Sequence, residues 1–320
     1  MNFENHSLRI GPTGAKKELF FMPGRGGKLR KGKREELPEY FAKLGLNAYE
    51  FPAGRMSHLN DGPAYQKLRE NSTIYDVAIS LHAPYYISLT SDNEETFKAS
   101  IERIAHAYAW ATYLNAHRIV LHPGTFGDLA RKLSPNQLIK GEFHPQSQKK
   151  IHKIIQGISA GIERSGDLYP NLKEKFRKIC ICPETMGKHG QIGPTPMIIQ
   201  ICKDIGVDKV RPCIDFGHLY ARNVGKLQGR KLYETVFQKI EEELGSHVLQ
   251  HLHIHYSKIE YTQKGEKKHV GNTDSLWGPE IKPLLEIIQE QSLTPTIINE
   301  SPELEPDAVQ IMKEWKNLRK

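Results

Sequence analysis

The sequence predicts an α/β chain folded as a single (β/α)8 TIM barrel with enlarged βα loops. Three observations carry that prediction. Short apolar runs of strand length alternate eight times with stretches of helical apolar spacing. The 320 residues allow about 40 per unit, where a plain barrel needs roughly 30, so the surplus falls to loops. No Pro/Ser-rich linker or composition shift divides the chain, so residues 1–320 read as one domain. An open doubly wound sheet is the alternative that the same alternation allows.

Taken in order, the first strand is Leu8 to Gly11, followed by a basic Gly-rich loop and a helix from about Glu35 to Leu44. Ala48 to Phe51 is the second strand and Val77 to Leu81 the third, the latter leading into a helix from about Glu94 to Leu114. Arg118 to Leu121 is the fourth, and Ile151, Ile154, Ile155, Ile158 and Ile162 then keep helical spacing across 146–163. Lys178 to Pro183 is the fifth, and Pro194 suits the first position of a helix reaching about Asp204. Val210 to Ile214, Leu249 to His255 and Thr296 to Asn299 complete the strands, with helices near 230–244, 278–290 and 304–319.

Composition excludes several classes. Charged residues make up 26% and apolar residues 38%, an ordinary globular mixture rather than that of a disordered or collagen-like chain. No stretch approaches the ~20 apolar residues of a membrane-spanning helix, and Met1 to His6 carries no apolar signal core. Cys180, Cys182, Cys202 and Cys213 lack C-x-x-C spacing and read as reduced, packed thiols, so the expectation is a cytoplasmic protein with no membrane partner. The net charge of +8 is uneven: Arg25, Lys28, Arg30, Lys31, Lys33 and Arg34 crowd one loop, and Lys258, Lys264, Lys267 and Lys268 another. Such clusters are either solvated loops or a phosphate-binding surface, and charge alone does not choose. Gly24–Lys28 lacks phosphate-loop spacing, and no G-x-S-x-G elbow occurs.

Barrels place their chemistry at the C-terminal ends of strands. The third strand ends at His82, the fourth at His122, the fifth at Glu184 and the sixth at Asp215 with His218 close behind. The seventh carries His251, His253 and His255 at alternating positions, and the eighth ends at Glu300. One strand-end histidine is ordinarily structural. Six strands in succession ending in imidazoles or carboxylates are not, because parallel strands stay apolar until they leave the core. Converging on one mouth, these groups imply metal, with more than one ion; the donor mixture suits Zn²⁺, or Mn²⁺ and Fe²⁺ with more oxygen. His251 reads as too deep to join, His117 as structural and His189 as a loop residue.

These pieces together resemble the endonuclease IV family of apurinic/apyrimidinic (AP) endonucleases, of the xylose-isomerase-like superfamily. The resemblance runs through His82-Ala83-Pro84-Tyr85, His122-Pro123-Gly124, Glu184-Thr185-x-Gly187, Cys213-Ile214-Asp215-x-x-His218, His253 to Ser257-Lys258, and Glu300-Ser301-Pro302. It implies His82, His122 and Glu184 as ligands of a first Zn²⁺. Glu184, Asp215, His253 and Glu300 follow as ligands of a second, which makes Glu184 a shared catalytic ligand. His218 would begin a third site. The family's Asp-x-His after strand seven is replaced here by Glu266-Lys267-Lys268-His269. Lys267 stands where the carboxylate is expected, so either the third ion is weak or absent, with Lys267 meeting phosphate instead, or Glu266 with His269 rebuilds the site. Tyr85 and, more loosely, Arg55 match residues that open DNA at a lesion, and Lys28, Arg30, Lys31 and Lys33 would grip its backbone.

The resemblance implies metal-assisted hydrolysis of double-stranded DNA 5′ to abasic sites by a monomer holding two or three ions. Two other readings stay open: a single-metal sugar isomerase or epimerase, for which Glu184, Asp215, His253 and Glu300 alone suffice, and a nucleic-acid-binding protein with a degenerate site.

Overall fold

The computed structural model describes residues 7–24, 28–54 and 62–319. In chain order its strands are β1 (Arg9–Pro12), β2 (Phe21–Pro23), β3 (Leu29–Lys31), β4 (Ala48–Pro52), β5 (Ala78–His82) and β6 (Arg118–Leu121), then β7 (Cys180–Pro183), β8 (Cys213–Asp215), β9 (His253–Tyr256), β10 (Lys258–Thr262), β11 (Gly265–Val270) and β12 (Thr296–Asn299). Eight of these form the expected TIM barrel as two parallel halves, β4-β5-β6-β7 and β8-β9-β12-β1. Bridges Ile181↔Val210 and Glu184↔Cys213 join the halves at one seam. At the other seam the Asn47 side chain accepts from the Ile10 N–H at 2.7 Å and donates to the Leu8 carbonyl at 3.1 Å. Gly11 is required there, because a Cβ at that position would lie 1.7 Å from the Ala48 carbonyl oxygen.

Alternation along the strands separates two cores. Ile119, Leu121, Ile181, Ile214, Ile254 and Ile297 belong to the large apolar cluster shared with the helices. Val120, Cys180, Cys182 and Cys213, at the alternate positions, form a small separate cluster. All four cysteines are buried free thiols, as expected. The helices with clear apolar spacing appear where the sequence places them, among them Glu94–Leu114, Pro145–Leu168, Thr195–Ile205 and Gly229–Leu244. Asn93 caps the first of these, accepting from the Thr96 N–H at 2.8 Å. The helix Pro63–Ile74 was not foreseen, and its sequence explains why: Leu68, Asn71 and Ser72 are its buried residues, so no apolar stripe announces it. Among the described residues no helix is long and apolar enough to cross a membrane.

The seventh strand is shorter than expected. Ser246–Gln250 is a helical turn, and the strand begins at His253. Val248, Leu249 and Leu252 are buried all the same, and a short apolar run reads identically in either conformation. The segment after it, expected as a loop, is the β10–β11 hairpin. A second hairpin, β2–β3, carries Arg30 and Lys31, with Lys28 and Lys33 flanking β3.

Candidate metal centre

Each strand delivers its polar residue where the apolar interior ends. His82 closes β5, His122 follows β6, Glu184 follows β7, Asp215 closes β8, His255 lies on β9 and Glu300 follows β12. The structure brings these six together. His82, His122 and Glu184 form one group whose donor atoms all lie within 4.8 Å of one another, and Glu184, Asp215, His255 and Glu300 form a second. Glu184 belongs to both. Its Oε2 is 3.2 Å from His122 Nε2 and 3.6 Å from His82 Nε2, and its Oε1 is 3.4 Å from His255 Nδ1. Backbone carbonyls orient the rings: His82 Nδ1 donates to the Ala83 carbonyl at 2.9 Å, which turns Nε2 toward Glu184.

A third group is His218, Glu266 and His269. His218 sits in the helix Phe216–Arg222, which Asp215 caps by accepting from the His218 N–H at 2.6 Å. Its Nδ1 donates to the Thr185 carbonyl at 2.9 Å, leaving Nε2 facing Glu266 Oε2 at 3.4 Å. His269 Nδ1 is 2.8 Å from Ser257 Oγ. Residues three apart on a flat strand point to opposite faces. Here the register shifts: Glu260 pairs with Lys268 and Tyr261 with Glu266, so Lys267 is the extra residue of a β-bulge. The bulge restores the parity and puts Glu266 and His269 on one face.

Of the two readings open at this loop, the geometry is that of the one in which Glu266 joins His269, and Lys267 stands apart from the donor group. Its ammonium is exposed and pairs with Glu260, which also holds Lys268 at 3.3 Å. Gly187 lets the Glu266 carboxylate approach, since a Cβ there would lie 2.7 Å from Glu266 Cβ and 2.9 Å from its Oε2. The second basic cluster also loses most of its free charge, because Lys258 is buried against Glu280 and the Asp274 carbonyl at 2.7 Å each.

A correction concerns His253. It lies one pleat below the mouth and is absent from the group of Glu184, Asp215 and Glu300; His255 takes that position. Starting the strand at 249 rather than 253 leaves the choice between the two histidines open by two residues, about 7 Å along a strand. His253 Nε2 instead contacts Glu50 Oε2 at 2.9 Å, and its Nδ1 faces Arg118 at 3.1 Å. Burial depresses its proton affinity, outweighing Glu50, to about 4. Glu50 is the residue the sequence reading passed over. It is fully buried on β4, and its Oε1 is 2.9 Å from His255 Nε2. The available signal was a carboxylate inside the apolar run Ala48-Tyr49-Glu50-Phe51.

The centre's charges are arranged for cations. Burial alone would raise the Glu184 carboxyl, but the positive imidazoles of His255, His122 and His218 beside it hold it well below the usual range. For Asp215 burial wins, aided by Glu300 and Glu184, and its affinity for a proton rises. Burial would lower His82, yet Glu184, Glu50 and Glu300 lift it to about 9; against the same burial, Asp215, Glu184 and Glu266 push His218 well above its ordinary value, and Cys213, Glu50, Glu300 and Glu184 do so for His255. Both oxygens of Glu184, Oδ2 of Asp215 and Nδ1 of His255 are buried with no hydrogen-bond partner. Orphaned carboxylate oxygens and imidazole nitrogens facing one another fit divalent ions, which satisfy such donors. A cavity of about 320 Å³, lined by Thr13, Glu50, Pro52, His82, His269 and Glu300, opens onto them.

The remaining expected residues divide. Tyr85 is 67% exposed. Lys28, Lys31 and Lys33 are exposed on or beside the β2–β3 hairpin, whereas Arg30 is committed to Glu36. Arg55, like Arg25, lies outside the described residues. His117, exposed, donates to the Lys178 carbonyl; His251, expected deep in the strand, is half-buried ahead of it and meets Thr294, and neither joins a donor group. His189 is half-buried, with Nε2 2.8 Å from the Arg222 carbonyl.

The description "Xylose isomerase-like TIM barrel" matches residues 38–318. An uncharacterised protein of Methanocaldococcus jannaschii is 30% identical over 278 residues, covering 86% of this chain and 89% of its own. A probable endonuclease 4 of Methanosphaera stadtmanae is 30% identical over 240 residues, 68% of this chain and 74% of that one. Among solved structures, endonuclease IV from Thermus thermophilus superposes with TM-score 0.61 at 16% identity, covering 89% of this chain and 94% of that one. A D-tagatose 3-epimerase-like protein does so with TM-score 0.59 at 20% identity, covering 88% and 92%. At these identities the structural likenesses speak for the fold alone. The chain belongs to the xylose isomerase-like TIM barrel family.

Proposed function

We propose that this protein is a metal-dependent phosphodiester hydrolase that cleaves double-stranded DNA 5′ to abasic sites, in the manner of endonuclease IV. The observation that carries the reading is the presence of three donor groups around one mouth, two of them sharing Glu184. A single ion held by Glu184, Asp215, His255 and Glu300 needs neither His82 and His122 nor the triad His218, Glu266 and His269 as ligands. Relatives described as probable endonuclease 4 support the same reading.

His82, His122 and Glu184 would hold the first ion, Glu184, Asp215, His255 and Glu300 the second, and His218, Glu266 and His269 a third; the imidazole and carboxylate mixture suits Zn²⁺. When bound, the ions supply positive charge to the phosphate oxygens and lower the pKa of a water toward neutrality. Lys28, Lys31 and Lys33 engage the duplex backbone, and exposed Tyr85 offers a ring to a disrupted base stack. An abasic nucleotide is cheaper to extrude because no base must be unpaired, which gives lesion selectivity a physical source. The test is a duplex with one abasic site, assayed with and without chelator beside a panel of ketoses. Cleavage abolished by chelator supports the hydrolase. Ketose epimerisation without cleavage replaces it with the sugar-enzyme reading, which the self-sufficient second group favours.

A further inference from the structure

We propose that Lys188 is a phosphate-binding residue of the third donor group, its ammonium set to take an oxygen of the substrate's backbone phosphate. The proposal rests on the hydrolase reading above and names the side chain that meets the strand beside His218, Glu266 and His269.

Its place follows from where the lysines around the β10–β11 hairpin direct their charge. Lys258 is buried against Glu280, and Lys267 and Lys268 both pair with Glu260. Lys188 faces the donors instead. Its Nζ is 4.0 Å from Glu266 Oε1, while Glu266 Oε2 is 3.4 Å from His218 Nε2. Among the described residues no other lysine pairs with a member of a donor group. In the sequence it falls in Glu184-Thr185-Met186-Gly187-Lys188, outside both basic clusters.

The backbone beneath this side chain is fixed. Lys188 bridges Gly265 in antiparallel fashion, and its carbonyl accepts from buried Arg222 at 2.9 Å and from the Gln191 N–H at 3.0 Å. The next residue, His189, donates its N–H to the Lys264 carbonyl at 3.0 Å. The tip is free. The side chain is 57% exposed, and 4.0 Å is an ion-pair distance rather than a hydrogen bond, so its three N–H donors are available to another acceptor. An exposed pair of this kind adds little to stability, and backbone bonds dock the hairpin without it. A fixed Cα carrying a mobile, compact charge suits a phosphate, which lysine binds as a point charge. A divalent ion held by His218, Glu266 and His269 would take up the charge of Glu266. The ammonium beside it would lose its partner, and phosphate is the anion that the proposed substrate brings to this mouth.

The experiment uses the full chain loaded with Zn²⁺ and two probes. One is a duplex carrying a single abasic site. The other is the same duplex already nicked 5′ to that site, with a 3′-hydroxyl and a 5′-deoxyribose phosphate, which is bound without further cleavage. In Lys188→Gln, kcat/KM on the first and affinity for the second, read by fluorescence anisotropy, are expected to fall about 10-fold or more, as for a lost hydrogen bond to a charged group. The slope of log affinity against log salt concentration should become shallower by about one. Zinc content and denaturant midpoint should match wild type, and Lys188→Arg should recover the slope. Lys267→Ala is the control and should match wild type throughout. Equal affinity and slope in Lys188→Gln and wild type, with both cleaving the abasic duplex, overturn the proposal and leave the hydrolase reading standing. Loss of an ion in Lys188→Gln overturns it too, because the lysine would then support the metal group and not the substrate. A wild type that holds its Zn²⁺ but does not cleave the abasic duplex sinks the hydrolase reading and the proposal together.

Discussion

The two ends of the candidate metal centre are built differently. His82, His122, Glu184, Asp215, His255 and Glu300 sit on or just beyond the barrel strands, so their convergence is a property of the closed sheet. His218, Glu266 and His269 hang on a helix turn and a bulged hairpin laid over the mouth. The strand-borne groups need nothing more than the barrel. The hairpin-borne triad needs a dock: Glu266 N–H donates to the Gly187 carbonyl at 3.2 Å and His189 N–H to the Lys264 carbonyl at 3.0 Å. The candidate centre thus combines donors made rigid by the topology of the sheet with donors only as rigid as a loop.

The largest effect is expected from Glu184→Gln. Both strand-borne groups share this residue, so elemental analysis should show both of their ions depleted, and turnover should fall by at least about 10²-fold. Retention of full metal content would mean the two groups are independent.

Next in size is Arg222→Met, which strikes the dock. Arg222 is fully buried and donates to the carbonyls of Leu138, Met186, Lys188 and Gln191, at 2.6 to 2.9 Å. Removing the guanidinium strands several buried acceptors, for a loss of about 3–5 kcal/mol in unfolding stability. The hairpin-borne ion should go before the strand-borne pair. Denaturant melts and metal analysis of the folded fraction check both statements.

This contrast also sorts what the sequence made legible. Eight strand positions and the strand-end residues could be read because short apolar runs end where the core ends. The choice between His253 and His255 could not, since both face the interior and the strand's start is hidden by a helical turn of equally apolar residues. Glu50 was legible in principle, as a carboxylate in a buried strand, but its contact with His255 is made across two intervening strands, β1 and β12. The parity of Glu266 and His269 could not be read at all, because a bulge is a property of the paired strands rather than of either segment.

Chelation sharpens the comparison from the other side. Without ions, His82 takes a proton below about 9, and His218 and His255 are likewise pushed upward, His218 by the carboxylates around it and His255 by Cys213 and its carboxylate neighbours. As ligands all three must present a lone pair. Stripping metal at pH 7.5 should therefore consume protons, and affinity should weaken as pH falls from about 9. A weakly buffered indicator assay reads the uptake directly; no uptake would mean these imidazoles are not displaced from their protons by metal.

The smallest expected effect is at Lys267, paired with a neighbour that is its informative control. Glu266→Ala should remove one ion while the strand-borne pair keeps its content. Lys267→Ala should leave metal content and turnover unchanged, because the ammonium is directed at Glu260 on the outer face of the hairpin. Deleting Lys267 is the sharper form of the test. It removes the bulge and leaves Glu-Lys-His, with the carboxylate and imidazole two residues apart, a spacing that places both on one face of a flat strand. Parity is preserved by either route, so the deletion variant should keep the third ion. Loss of that ion on deletion, with Lys267→Ala silent, would show that the bulge sets the distance between Glu266 and His269 and not merely the face on which they stand.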